Sequence, residues 1–144
     1  MLRLEKLNKT QVENIYNERM IIDFPKDELK PLDILYRAID KGIYEPLGLF
    51  DDTVIIGYTF LVKHDRDYLV DYLAVYPQQR NLGSGGIMVR MLSDYLKDAE
   101  NLIAEIENPE YAENEDPHAL WDLYQSFYRI MLPKDMFEKN IKKM

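Results

Sequence analysis

The chain of 144 residues contains no cysteine. Disulfides, a thiolate nucleophile and cysteine-based metal sites are therefore excluded, and no metal site is expected. Histidine is also scarce, with two in the chain. His64 falls in the polar stretch His64-Asp65-Arg66-Asp67, which reads as an exposed turn rather than the setting of a base. No apolar run approaches the ~20 residues needed to span a bilayer, and no signal-peptide pattern opens the chain, so a cytoplasmic protein without a membrane partner is expected. Basic residues are in deficit: 18 Lys plus Arg stand against 26 acids, a net charge of −8. That balance argues against nucleic acid as the main partner. It is mildly favourable to a cationic amine, although solubility is the simpler explanation. Repeats and low-complexity segments are lacking too. What remains is ordinary globular composition, 47% hydrophobic and 31% charged, in a length suited to one domain over residues 1–144.

One stretch organises the rest. Tyr68–Tyr76 is almost wholly apolar, rich in Val and Tyr with Asp71 as its only charge, and predicts a strand buried on both faces. Pro77 ends it, and Gln78–Gly86 is polar and glycine-rich. From Gly86 onward Met88, Met91, Leu92, Tyr95, Leu96 and Ala99 recur at the spacing of one helix face. A strand, a glycine loop and a helix together make an anion site. Gly83, Gly85 and Gly86 allow a phosphate to approach the backbone, the first helical turn offers unpaired N–H groups, and Arg80 supplies a bidentate cation. The patterns GxxxxGK[ST] and GxGxxG are both absent. A purely structural glycine turn is the alternative reading.

Arg80-Asn81-Leu82-Gly83-Ser84-Gly85 matches [Q/R]-x-x-G-x-[G/A] at every fixed position. In that setting, between an apolar strand and an amphipathic helix, the stretch resembles the acetyl-CoA-binding motif of the GNAT (GCN5-related) N-acetyltransferase family. Asp71–Pro77 likewise resembles the family's fourth strand and the turn after it. The resemblance covers roughly residues 1–108. It implies an α+β, three-layer fold of the acyl-CoA N-acyltransferase type, with a mixed, mostly antiparallel sheet flanked by helices. It also implies acetyl-CoA as cosubstrate. The backbone of Leu73, Ala74 and Val75 would face the thioester, and Arg80, Asn81, Leu82, Gly83, Ser84, Gly85 and Gly86 would face the pyrophosphate.

The remaining segments fit that frame as far as Asn108. Met1–Leu7 alternates as a first strand, and Asn8-Lys9-Thr10 offers caps for a helix carrying Val12, Ile15 and Tyr16 that fails before Phe24-Pro25. Pro31 opens a second helix, closed at Gly42. By resemblance, Phe24–Leu29 between these helices borders the acceptor; an ordinary connection is the other reading. Tyr44–Phe50 and Thr53–Lys63 form a hairpin about Asp51-Asp52. Gly57 inside it marks a bulge or a close backbone approach. Asn101–Glu107 reads as a fifth strand, followed by an acidic stretch to Asp116 that serves as a solvated loop or as a funnel for a cation. Pro109–Met144 departs from the family: an acidic loop and a helical tail, with Trp121, Phe127 and Phe137 among its apolar residues, stand where further strands are normal. Such a tail offers a cover for the opened sheet edge or a surface for a second copy of the chain.

Transfer of acetyl to an amine has three requirements. A base must take a proton from an amine of pKa ~10.4. Donors must stabilise the oxyanion, and an acid assists the departing thiolate. The resemblance implies a cleft between the fourth and fifth strands, so Glu107, near the end of the fifth strand with Glu105 behind it, is the better-placed base. Asp71 is the second candidate, placed by simple alternation on the face of Leu69, Leu73 and Val75, where an apolar setting strengthens a carboxylate as a base. Its other reading is a polar residue satisfied locally. The resemblance implies a tyrosine as the acid, on a helix that this chain lacks; Tyr128, with Tyr124 nearby, is a substitute by position only, although both fit an apolar core stripe. The acceptor expected is a small-molecule or protein amine, attacked directly. A CoA-binding or interaction domain that has lost its acceptor module is the alternative.

Overall fold

The computed structural model describes residues 1–79 and 83–104. Five strands lie in the order β1 (Leu2–Lys6), β2 (Tyr44–Asp51), β3 (Val54–His64), β4 (Asp67–Val75) and β5 (Asn101–Ala104). The first four pair antiparallel and β5 joins β4 in parallel, which is the mixed, mostly antiparallel sheet expected. Both hairpins turn on an aspartate at positive φ, Asp52 (54°) and Asp65 (53°), a conformation whose cost a short polar side chain lessens.

Helices cover both faces. On one lie α1 (Lys9–Ile15), a π-helical turn (Tyr16–Met20) that runs on into α2 (Ile21–Asp23), and α3 (Leu32–Asp40). Val12, Ile15, Met20 and Leu35 from these helices are buried against Tyr44, Phe50, Tyr58, Phe60 and Tyr72. On the other face, Met88, Leu92 and Leu96 of α4 (Ser84–Tyr95) and the residue after it pack on Leu47, Leu49, Ile56 and Leu61. The result is an α+β sandwich of three layers. None of the helices among the described residues is long and apolar enough to cross a membrane.

Local chemistry sets the boundaries. Asn8 accepts from the Gln11 N–H at 2.8 Å while the Gln11 side chain accepts from the Asn8 N–H at 2.9 Å, so α1 opens in a reciprocal cap. Its continuation stops at Phe24, where the backbone turns extended ahead of Pro25. Pro31 precedes α3, and Gly42 follows it at φ +73°.

Three expectations need correction. The central helix runs from Ser84 to Tyr95 instead of Gly86 to Ala99. It ends where Leu96 leaves helical geometry, so that the Glu100 N–H can reach the Arg66 carbonyl at 2.8 Å and lead the chain into β5. The organising strand is not buried on both faces: only Tyr72 is buried, and Leu69 is exposed. The reason lies at its outer edge, which β5 covers only from Asp67 to Val70 among the described residues. Finally, the register of β3 against β4 slips between Phe60–Tyr72 and Leu61–Val70, leaving Asp71 without a cross-strand partner. This bulge breaks simple alternation. Leu73 and Val75 turn to the α4 side, whereas Asp71 meets residues of the α1–α3 side. Glu105–Glu107, the acidic stretch and the helical tail lie outside the described residues.

Candidate active site

α4 is the next α-helix after β4 among the described residues. After Val75 comes a 3-10 turn, Pro77–Gln79, and α4 opens after Gly83 at φ +78°. The Gly83 carbonyl accepts the Ile87 N–H at 3.1 Å, but no side chain caps the helix. Ser84 is buried, and Gly85 and Gly86 are half-buried. A Cβ added at Gly83 would meet nothing within 4 Å, so glycine is needed there for its φ and not for space. The first turn of α4 thus offers N–H groups and the positive end of the helix dipole. Arg80, Asn81 and Leu82 lie outside the described residues.

Along β4, Leu73 stands opposite Thr59, Ala74 opposite Tyr58 and Val75 opposite Gly57. Gly57 permits the close approach anticipated for it: a Cβ there would fall 2.5 Å from the Met88 Cε of α4 and 3.0 Å from the Ala74 carbonyl oxygen. A bulge at Ile56 adjoins it, since Leu49 pairs with Gly57 and Phe50 with Ile55. The absent side chain leaves room for Met88 of α4 to lie on β3, beside the strand β4 that precedes the helix.

Asp71, at the bulge, is 12% exposed and holds two partners. Lys30 donates from Nζ to both carboxylate oxygens at 2.6 and 2.8 Å, and the buried Tyr44 hydroxyl donates at 2.5 Å. Burial, and then the bond to Asp71, pushes the Tyr44 hydroxyl far above its ordinary pKa. The same ammonium lies 5.4 Å from the centre of the Tyr72 ring. The apolar surroundings expected of Asp71 are therefore replaced by an ion pair. Lys30 itself belongs to the connection between α2 and α3. Phe24 stacks edge-on against Tyr72 at 4.9 Å, the Tyr72 hydroxyl donates to the Glu28 carbonyl and accepts from the Lys30 N–H, and the Tyr16 hydroxyl donates to the Lys30 carbonyl. The segment from Phe24 to Pro31 is strapped across β4.

A second polar cluster lies beneath the far end of β4. Arg19, on the π-helical turn, donates to Asp23 at 2.8 Å, and the Tyr58 hydroxyl donates to the other Asp23 oxygen at 2.8 Å. The Arg19 guanidinium sits 5.6 Å from the Tyr76 ring, and the Asp23 side chain is only 5% exposed. Burial, followed by the Asp23 charge, raises the Tyr58 pKa strongly. Sequence reasoning missed both clusters. Arg19 and Asp23 are four residues apart, a spacing that signals an ion pair, but their partners Tyr58 and Tyr76 read only as strand residues. Lys30 carried no signal at all. His64 is an exposed residue at the β3–β4 turn, as expected. Glu107 and Tyr128 lie outside the described residues.

No protein-family model and no curated protein sequence matches the chain. Solved structures do. A protein of the GNAT family of acetyltransferases from Bacteroides thetaiotaomicron is similar at a TM-score of 0.69 and 26% identity, over 85% of this chain and 69% of that one. The ribosomal-protein-S18-alanine N-acetyltransferase of Escherichia coli gives 0.62 and 18%, over 85% and 75%. A Bacillus subtilis acetyltransferase in complex with CoA gives 0.61 and 19%, over 88% and 75%. On these likenesses, and with its mixed five-stranded sheet between layers of helices, the chain has the GNAT acetyltransferase fold.

Proposed function

We propose that the protein is an N-acetyltransferase that moves acetyl from acetyl-CoA to a primary amine by direct attack. The observation that carries this reading is the junction of β4 with α4. A helix N-terminus that starts after a glycine, with no side-chain cap among the described residues, follows a strand whose edge beyond Val70 has no strand beside it among the described residues. The pyrophosphate would lie at Arg80–Gly86 and the arm along Leu73, Ala74 and Val75, where backbone N–H groups stabilise the oxyanion formed as the amine attacks. The amine nitrogen bonds to the acetyl carbon, the C–S bond breaks, and CoA leaves as its thiol. Glu107 would take the proton from the amine and Tyr128 would supply one to sulfur. Asp71 is less suited to the base role, because Lys30 and Tyr44 occupy its oxygens.

Thermal unfolding with acetyl-CoA tests the cofactor site, using the native chain, Gly83→Asn (which tolerates positive φ) and Gly83→Glu. At ~100 times its Kd the ligand stabilises the native chain and the Asn variant by ~2.7 kcal/mol. The Glu variant, with an acid at the helix N-terminus, should lose most of that gain whatever its stability without ligand. Release of CoA thiol with a panel of amines, with and without Glu107→Gln, then reads turnover. Binding without turnover would favour the CoA-binding domain, and no shift in any form would overturn the assignment of the loop.

A further inference from the structure

The ammonium of Lys30 occupies a site built for an alkylammonium. A carboxylate that is 12% exposed faces it through both oxygens, a buried tyrosine hydroxyl fixes that carboxylate from behind, and an aromatic face lies alongside. The site stands at the bulge of β4, the first residue past the last described pairing with β5, Val70 with Ala104. On the reading above, this is the inner end of the path taken by the acetyl-bearing arm. At ~3.3 Å per residue, Asp71 is only ~7 Å along the strand from Leu73. Lys30 is held there by its backbone, whose N–H and carbonyl bind Tyr72 and Tyr16, while its side chain is 45% exposed. The strap stays in place whether or not the ammonium does.

We propose that Asp71, Tyr44 and Tyr72 form the binding site for a non-reacting ammonium of the acceptor, that the acceptor is a small linear diamine, and that Lys30 is a built-in occupant that the diamine displaces. Two chemical facts support the assignment. The nitrogen that attacks must be unprotonated, whereas this site holds a cation, so one molecule must supply both an ammonium for Asp71 and a second, reacting amine. The acidity of the whole chain draws such a dication towards it. The inference rests on the acetyltransferase reading, but its binding arm does not.

The experiment measures binding of 1,5-diaminopentane to the native chain, to Lys30→Met and to Asp71→Asn by calorimetry without acetyl-CoA. The 15N resonance of the Lys30 ammonium is followed in the native chain. Lys30→Met should bind the diamine about threefold to fivefold more tightly than native, the factor by which a half-exposed ion pair competes. Asp71→Asn should lose detectable binding, and the Lys30 ammonium signal should broaden as diamine is added. With acetyl-CoA present, the preference in kcat/KM for 1,5-diaminopentane over 1-aminopentane should collapse in Asp71→Asn. Equal or weaker binding by Lys30→Met, or undiminished binding by Asp71→Asn, would overturn the proposal. Should acetyl-CoA fail to bind while the diamine behaves as described, the ammonium site stands and the enzymatic reading falls.

Discussion

Gly57 shows what a single missing side chain does here. Its hydrogen leaves room for the Met88 methyl on one side and for the Ala74 carbonyl on the other, and α4 can therefore lie directly on β3 and β4. Met88 is flexible and moves aside at modest cost, but the Ala74 oxygen belongs to the strand ladder. Gly57→Ala should therefore overpack the site and lower stability by about 1–3 kcal/mol, read as a shift in urea midpoint. Since α4 would be pushed outward at Met88, one turn from its N-terminus, the variant should also bind acetyl-CoA more weakly than its stability loss alone predicts. Gly83 presents the opposite case. Space is plentiful around it, and only the left-handed φ resists a side chain.

At the scale of elements, α1 is short and continues into a π-helical turn, so its start matters more than its length. The reciprocal Asn8–Gln11 cap satisfies two N–H groups at the helix start that have no intrahelical partner. Asn8→Ala should cost about 1 kcal/mol, with the urea midpoint lowered and the slope unchanged. Acetyl-CoA binding should persist, because α1 meets the sheet on the face away from α4. A cap within Asn8-Lys9-Thr10 was legible in the sequence, as were Pro31, Gly42 and the Asp51-Asp52 turn, because each acts through its own immediate neighbours. The four antiparallel strands and the helix after the glycines were legible for the same reason: alternation, helical spacing and punctuation are local. The bulge at Asp71 was not, because a slip of register is decided by what β3 offers across the ladder. Simple alternation therefore placed Asp71 on the α4 side, and the structure turns it to Tyr44. Lys30 and Arg19 escaped notice likewise. A surface lysine in a connection acquires meaning only when the fold brings a carboxylate to it from 41 residues away.

The largest consequence for the whole molecule is its answer to alkali. Two tyrosines in the sheet, Tyr44 and Tyr58, are buried with their hydroxyls donated to Asp71 and Asp23, on the same face of the sheet but in separate clusters. Burial comes first in raising each pKa, and the adjoining carboxylate adds to it. An unfolded chain leaves tyrosine at its ordinary value near ~10. A group whose pKa is raised by folding contributes its full stability below the unfolded value and loses it as pH climbs towards the folded one. Between pH 5 and about 9 these two groups should leave stability flat. Above pH ~10 the unfolded state releases protons that the folded state retains, and the urea midpoint should fall steeply. Tyr44→Phe removes one of the two protons, so the slope of stability against pH in that range should be about halved for this pair. The variant starts lower at neutral pH, since Asp71 loses a donor, and the two curves should converge in alkali. Parallel curves for native and Tyr44→Phe would mean that the Tyr44 hydroxyl ionises in the folded chain, and that the carboxylate behind the Lys30 ammonium is held by something other than this bond.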